Sequence, residues 1–195
     1  IVLFSSVLGV IEEHPLLLSI TVHFATTLST IIIYQKKIKS LFWGVVKARN
    51  QQDVNYLLKL LLSAIPIVFL GLFFRDDVNR SFDNTTLASC MLIFTGFFLI
   101  LSTFFKSEKN EITFINAFII GLGQAVAILP GISRSGLTIT TALFLKIKRK
   151  DAAAFSFLMA LFPIAGITVV ELSVFFHKYN LISYEDIKVL LIAFF

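Results

Sequence analysis

One guanidinium set among hydroxyls and glycines carries most of the chemistry that this sequence offers. It lies in Pro130-Gly131-Ile132-Ser133-Arg134-Ser135-Gly136-Leu137-Thr138, between two apolar segments. The planar fork of Arg134 suits phosphate oxygens, which it can bind two at a time. Ser133, Ser135 and Thr138 add hydroxyls that position oxygens. Either serine could be a nucleophile, but no paired base is visible beside them, and positioning is the favoured role. Gly131 and Gly136 let backbone N–H groups approach an anion closely. Pro130 opens the stretch, and Gln124, six residues upstream, could line the same cavity. The competing reading is an ordinary polar loop with Arg134 among lipid headgroups. An ionised arginine at bilayer depth costs at least ~2.5–3.5 kcal/mol, so there it is paired, wetted or functional.

The elements that must position this stretch are apolar. Of the 195 residues 57% are hydrophobic and 15% charged, whereas soluble domains average about 45–50% and about 25%. Mean hydropathy is +0.89. Twenty-two phenylalanines against one tryptophan fit lipid-facing helices better than a soluble core. The net charge of +5 resides in short loops between apolar runs, so it points to membrane topology and not to nucleic acid. Cys90 lies alone in an apolar run and makes neither a disulfide framework nor a metal site. No secretory leader is visible. The chain opens on Ile1 and closes within an apolar run at Phe195, which reads as a piece of a longer protein, truncated at both ends.

Hydropathy predicts an all-α, polytopic membrane protein forming a single domain over 1–195, with about five membrane spans and one complete re-entrant hairpin. Ile1 to Val10 is too short to cross, and Glu12 and Glu13 read as solvated loop charges. Leu16 to Tyr34 is the first span, dense in serine and threonine, with His23 in its middle as a packing residue or a relay. A basic loop over 36–49 follows, then spans at Leu57 to Phe74 (with Pro66) and Leu87 to Phe105, joined by a charge-mixed loop over 75–85. After a turn at 106–111 comes the apolar run Ile112 to Leu129. Beyond 130–138 and the basic cluster at 146–151, Ala152 to Phe176 is a long span containing Pro163, and Val189 begins another. Lysine and arginine concentrate on cytoplasmic loops. Both basic segments therefore belong on one side, and the segment from 112 to 145 must leave and return there. Its return arm, Gly136 to Leu145, covers only ~15 Å of a ~30 Å core. A re-entrant hairpin over about 112–145, with Pro130-Gly131 at its tip, meets both conditions. Irregular backbone at that depth is tolerated only inside protein or along a wet cavity. The helix beginning at Ser135 would aim its free N–H groups and positive dipole end at the tip.

Gly121-Leu122-Gly123-Gln124-Ala125 followed by Pro130 to Thr138 resembles the second signature of the undecaprenyl-diphosphate phosphatase family, the bacitracin-resistance proteins, with its PGxSRSxxT pattern. Ala153-Ala154-Phe155-Ser156-Phe157-Leu158, Pro163 and His23-Phe24-Ala25-Thr26-Thr27 are similar to the family as well. The resemblance implies a bacterial inner- or plasma-membrane enzyme with six spans and two re-entrant hairpins related by an inverted repeat. Its site would open to the extracytoplasmic side. Such enzymes hydrolyse undecaprenyl diphosphate to the monophosphate and phosphate, which recycles the carrier lipid for peptidoglycan synthesis and confers bacitracin resistance. A divalent cation, Mg2+ or Ca2+, is generally required. The partners implied are a polyprenyl diphosphate and the bilayer; a homodimer is compatible. On this reading Arg134, Ser133 and Ser135 form the catalytic group. Gly131, Gly136, Thr138, Gln124 and Pro130 line the substrate, and His23 and Ser156 are further candidates. One departure stands out. The family's acidic first signature should end before Ile1, and Glu12 and Glu13 do not match it, so the metal ligands lie outside this chain and the fragment alone should be inactive. A secondary transporter, or a polyprenyl-phosphate carrier that binds without hydrolysis, is the rival reading. Lipid phosphatases with a histidine nucleophile want a histidine soon after Ser-Arg, and the first after Arg134 is His177.

Overall fold

The computed structural model describes residues 15–46, 50–82, 84–105 and 111–178, with side chains from 22 to 169 apart from 45, 75 and 79. Among them there are helices and no sheet: α1 (Pro15–Val46), α2 (Gln51–Phe73), α3 (Arg75–Phe82), α4 (Thr85–Ser102), α5 (Phe114–Val126), α6 (Arg134–Phe144) and α7 (Arg149–Lys178). Residues 1–14 with Glu12 and Glu13, the turn over 106–110 and the segment after 178 lie outside the described residues.

Local sequence explains most of the boundaries. Asn50, Asn84, Thr113 and Ser133 are N-caps, each accepting a hydrogen bond from an N–H of the first turn. Each such cap stabilises its helix by about 1 kcal/mol. The end of α6 is sharper still. Ile147 N–H donates to Ala142 O at 3.1 Å and Lys146 N–H to Leu143 O at 2.9 Å, with Lys146 at φ 62°. That is the double bond of a left-handed helix stop, made here with lysine where glycine is usual. Fully buried Ile147 seals it. The return arm of the hairpin therefore ends by construction at Phe144.

Two expectations need correction. The basic 36–49 loop is helical as far as Val46: α1 continues through a kink at Tyr34 (φ −99°, ψ 16°). The continuation has an inward face, because Leu41 is buried and Ile38 packs on the core, and that apolar spacing holds the helix together despite the lysines. The 75–85 loop contains α3, whose Asp76 and Asp77 in the first turn and Arg80 in the last complement its dipole.

Packing follows small residues more than large ones, as expected where lipid is as apolar as leucine. The closest pair is α2 with α5. Ala117, Gly121 and Ala125, at four-residue spacing, are all buried on α5. A Cβ on Gly121 would overlap the Ser63 backbone of α2. Helix α7 packs on α1, α2 and α6, and α6 is also held by α4 and α5. The core they share includes Leu60, Ile120, Leu143, Phe155, Leu158 and Met159. On α4 the buried residues are Ala88, Thr95 and Ser102 at seven-residue spacing, one stripe of small side chains.

Among the described residues three helices, Gln51–Phe73, Thr85–Ser102 and Arg149–Val169, are long and apolar enough to cross a bilayer, and Phe114–Val126 is a shorter apolar helix. Exposed phenylalanine, leucine and isoleucine cover the outside of the bundle.

Candidate active site

Helices α5 and α6 form a hairpin. Gly123 on α5 sits so close to Thr141 on α6 that an added Cβ would lie 2.9 Å from its Oγ1. The two positions are symmetric about the intervening turn, so the arms run back to back. They have 13 and 11 residues, about 20 and 16 Å of helix. Between them the chain descends through tight turns, Ile128 N–H to Ala125 O, Leu129 N–H to Val126 O and Ile132 N–H to Leu129 O.

The turn is shaped by α4. Gly131 has φ +87°, and a Cβ there would run into the Ala88 carbonyl of α4. Glycine is thus required twice, for backbone conformation and for contact. One helical repeat further along the same stripe, Thr95 Oγ1 accepts a hydrogen bond from Ser133 N–H at 3.2 Å and donates to Met91 O at 3.0 Å, with Gly131 O at 3.4 Å. Neither Ala88 nor Thr95 stands out in the sequence. The only signal is a small and a hydroxyl residue seven apart in the same span. At the far end of α6, Phe144 packs on Phe98 and Phe105. The hairpin is braced at both ends.

This bracing narrows the anion cradle that the sequence suggests. Of the N–H groups from 131 to 136, those of Ile132, Ser133 and Gly136 are engaged by Leu129 O, Thr95 Oγ1 and Ser133 Oγ. The helix starts at Arg134, one residue earlier than expected, because Ser133 caps it. The N–H groups of Gly131, Arg134 and Ser135 have no partner among the described residues. The latter two belong to the first turn of α6, where the dipole favours an anion.

The side chains divide in the same way. Arg134 is half-buried, and its guanidinium has no carboxylate or hydrogen-bond partner among the described residues. Ser135 is half-buried and its hydroxyl is likewise unengaged, while Ser133 is exposed with its oxygen turned to Gly136 N–H. These three groups lie together at the start of α6. Thr138 and Ser156 are also brought together, with their hydroxyl oxygens 2.6 Å apart in the buried seam between α6 and α7. Thr138 Oγ1 further donates to Arg134 O at 2.8 Å. Its hydroxyl thus faces protein on both sides. Pro130 is buried. Gln124 is fully buried, and both its amide atoms lack a partner among the described residues. No hydrogen bond joins it to the turn. His23 is half-buried on α1, which packs on α2 and α7. Among the described residues no group of three histidine, cysteine or acidic side chains converges to hold a metal.

An all-helical, multi-pass membrane protein with a short-armed polar hairpin is the class that the fold and the site define. The chain belongs to the bacitracin resistance protein BacA family, whose profile it matches over residues 1–195. It is 42% identical over 164 residues to an undecaprenyl-diphosphatase of Bacteroides fragilis, covering 83% of this chain and 62% of that relative. It is 38% identical over 157 residues to an undecaprenyl-diphosphatase of Christiangramia forsetii, at 80% and 60% coverage. For one from Methanococcus vannielii the identity is 41% over 155 residues, at 77% and 61%. The chain thus spans about three-fifths of the length of these curated relatives.

Proposed function

We propose that the protein containing this chain hydrolyses undecaprenyl diphosphate to undecaprenyl phosphate and inorganic phosphate, and so returns the carrier lipid to cell-wall synthesis. The family supports the substrate. The observation that carries the site is Arg134: a half-buried cation at the start of a helix, in an apolar bundle, with no partner among the described residues. An unpaired buried charge is costly, and a di-anionic headgroup would relieve it.

In this reading Arg134 binds non-bridging oxygens of the diphosphate and stabilises the charge that builds as the terminal phosphoryl group leaves the anhydride oxygen. The Arg134 and Ser135 N–H groups hold the same headgroup from the helix end. The Ser135 and Ser133 hydroxyls orient it, and water is consumed as the anhydride bond breaks. Gly131 and Gly136 let the turn close against α4, and Pro130 shapes it. Thr138, tied to Ser156, holds the start of α6 in place. Gln124 is assigned to the polar lining and His23 to a supporting role on α1. A divalent cation, Mg2+ or Ca2+, belongs to the proposal through the family, with ligands outside the described residues, and no step is routed through it.

The arm lengths support a re-entrant hairpin, since about 20 and 16 Å fall short of a ~30 Å core. The basic segments at 36–49 and 146–151 support a cytoplasmic placement of their end, in the inner or plasma membrane, and hence an extracytoplasmic site within a single membrane domain. A homodimer is compatible, and detergent-solubilised mass would test it.

The test is phosphate release from a long-chain polyprenyl diphosphate by the full-length protein in detergent, with and without a chelator, beside Arg134→Ala. Chelator-sensitive release that collapses in the variant supports both enzyme and site. Lipid binding without release under any divalent ion overturns the enzyme and favours a carrier. Full release by Arg134→Ala overturns the site alone.

A further inference from the structure

Away from the hairpin, the continuation of α1 beyond its kink has two unlike faces. Inward, Leu41 and Gly44 are buried, and Lys37 is held 3.6 Å from Asp53 and over the Tyr56 ring. Outward, Lys36, Lys39, Trp43 and Val46 are all exposed, at steps of three, four and three residues, which is one stripe of a helix. Trp43 and Val46 are 53% and 59% exposed. Amphipathic helices that lie in the membrane interface combine lysine with tryptophan in this manner, the ring at headgroup level and the ammonium groups at the phosphates.

The neighbouring element adds charge of the same sign. Tyr34 stacks on Phe157, and Lys37 lies over Tyr56, whose ring meets Phe155. Through Tyr56 of α2, the Lys37 level of α1 is thus linked to Phe155, in the second turn of α7. The exposed Lys148, Arg149 and Lys150 at the start of α7 therefore lie toward the same end of the bundle as the 35–46 stripe. Asp151 is the acid that accompanies them, and Asp53 is buried.

We propose that the exposed stripe Lys36–Lys39–Trp43–Val46, beyond the Tyr34 kink, is an interfacial docking surface for anionic phospholipid headgroups. Charge complementarity selects the occupant: each lysine near a negatively charged leaflet contributes about fivefold in binding. The inward pinning of Leu41, Gly44 and Lys37 presents the stripe at a fixed angle. The proposal rests on the membrane placement of the bundle and is independent of the hydrolytic reaction.

The experiment follows Trp43 fluorescence of the full-length protein in mixed vesicles of phosphatidylcholine and phosphatidylglycerol. At equal mole fraction, either one lipid or the other carries brominated chains as quencher, and a Trp43→Phe variant supplies the background of any other tryptophan. The expected result is quenching by both, at least about threefold stronger from brominated phosphatidylglycerol. That preference should vanish in Lys36→Gln/Lys39→Gln, whose exposed positions leave the fold intact by gel filtration. Equal quenching by the two lipids overturns the proposal, as does a preference that survives the double substitution. Absence of quenching overturns it too, by showing that protein covers the stripe.

Discussion

Lys37 and Arg134 are both half-buried basic side chains of this bundle, and their surroundings are opposite. Lys37 meets Asp53, which itself collects Ser40 Oγ at 3.0 Å and Asn50 Nδ2 at 3.1 Å, while the Tyr56 ring lies 4.5 Å beneath the ammonium. Every strong group in that cluster has a partner. Arg134 has none among the described residues, and neither has the Ser135 hydroxyl beside it. The first cluster ties α1 to α2 and is complete as it stands. On the proposed reading, the second receives the diphosphate. Satisfied polar clusters in apolar surroundings serve the fold, and unsatisfied ones mark where a ligand supplies the missing half.

The sharpest way to break this comparison is to replace each cation with methionine. Arg134→Met is expected to lower phosphate release about 10³-fold, the scale of losing an arginine aimed at a transferring phosphoryl group. Its midpoint of thermal unfolding in detergent should stay level or rise, because an uncompensated charge is gone. Lys37→Met is expected to do the reverse. It should keep release per folded molecule within about twofold and lose about 1–3 kcal/mol, since Asp53 remains buried without its cation. A large activity loss in Lys37→Met with unchanged stability would erase the distinction.

Gly131→Ala tests whether the unsatisfied region depends on the shape that α4 imposes. At φ +87° the new side chain costs about 1–2 kcal/mol in backbone energy alone, and the overlap with the Ala88 carbonyl adds to it. Release should fall by at least about 10²-fold, since a misplacement of ~1 Å has that effect. Gly166→Ala is the control, because nothing lies within 4 Å of its added Cβ.

What the sequence revealed, and what it hid, divides along the same line. The unsatisfied region was legible, because glycine, serine and arginine in an apolar chain are conspicuous and because ten residues cannot span a bilayer. Ser133 as N-cap shifts the helix start by a single position. What brings the turn to α4 was not legible. A glycine that meets a backbone carbonyl 43 positions away leaves no periodic trace, and Thr95 looks like any span hydroxyl until its partner Ser133 is in place. The satisfied region was misread as a loop. Its lysines dominate a hydropathy count, whereas the buried Leu41 and Gly44 and the bond to Asp53 appear only when α2 is packed alongside. Local signals report what a residue is, and packing decides whether it is already paired.

The smallest expected effect lies at the seam between the two regimes. Thr138 and Ser156 share one hydrogen bond at 2.6 Å in a fully buried site, yet Thr138 also donates to the carbonyl of Arg134. If this pair is purely structural, Thr138→Val and Ser156→Ala each cost about 1 kcal/mol or less, in line with hydroxyl pairs between membrane helices. The double variant then costs little more than either, and release is unchanged in all three. If the pair holds the start of α6 for the substrate, release falls several-fold in Thr138→Val while Ser156→Ala is nearly silent. The reason is geometric: only Thr138 reaches the Arg134 carbonyl, so only its loss lets the first turn shift. Thr138→Ser restores the hydroxyl without the methyl group and should recover release, which a simple cavity effect would not allow. A cycle in which both single variants lose release equally would place Ser156 in the site as well, and the boundary between paired and unpaired regions would move one helix outward.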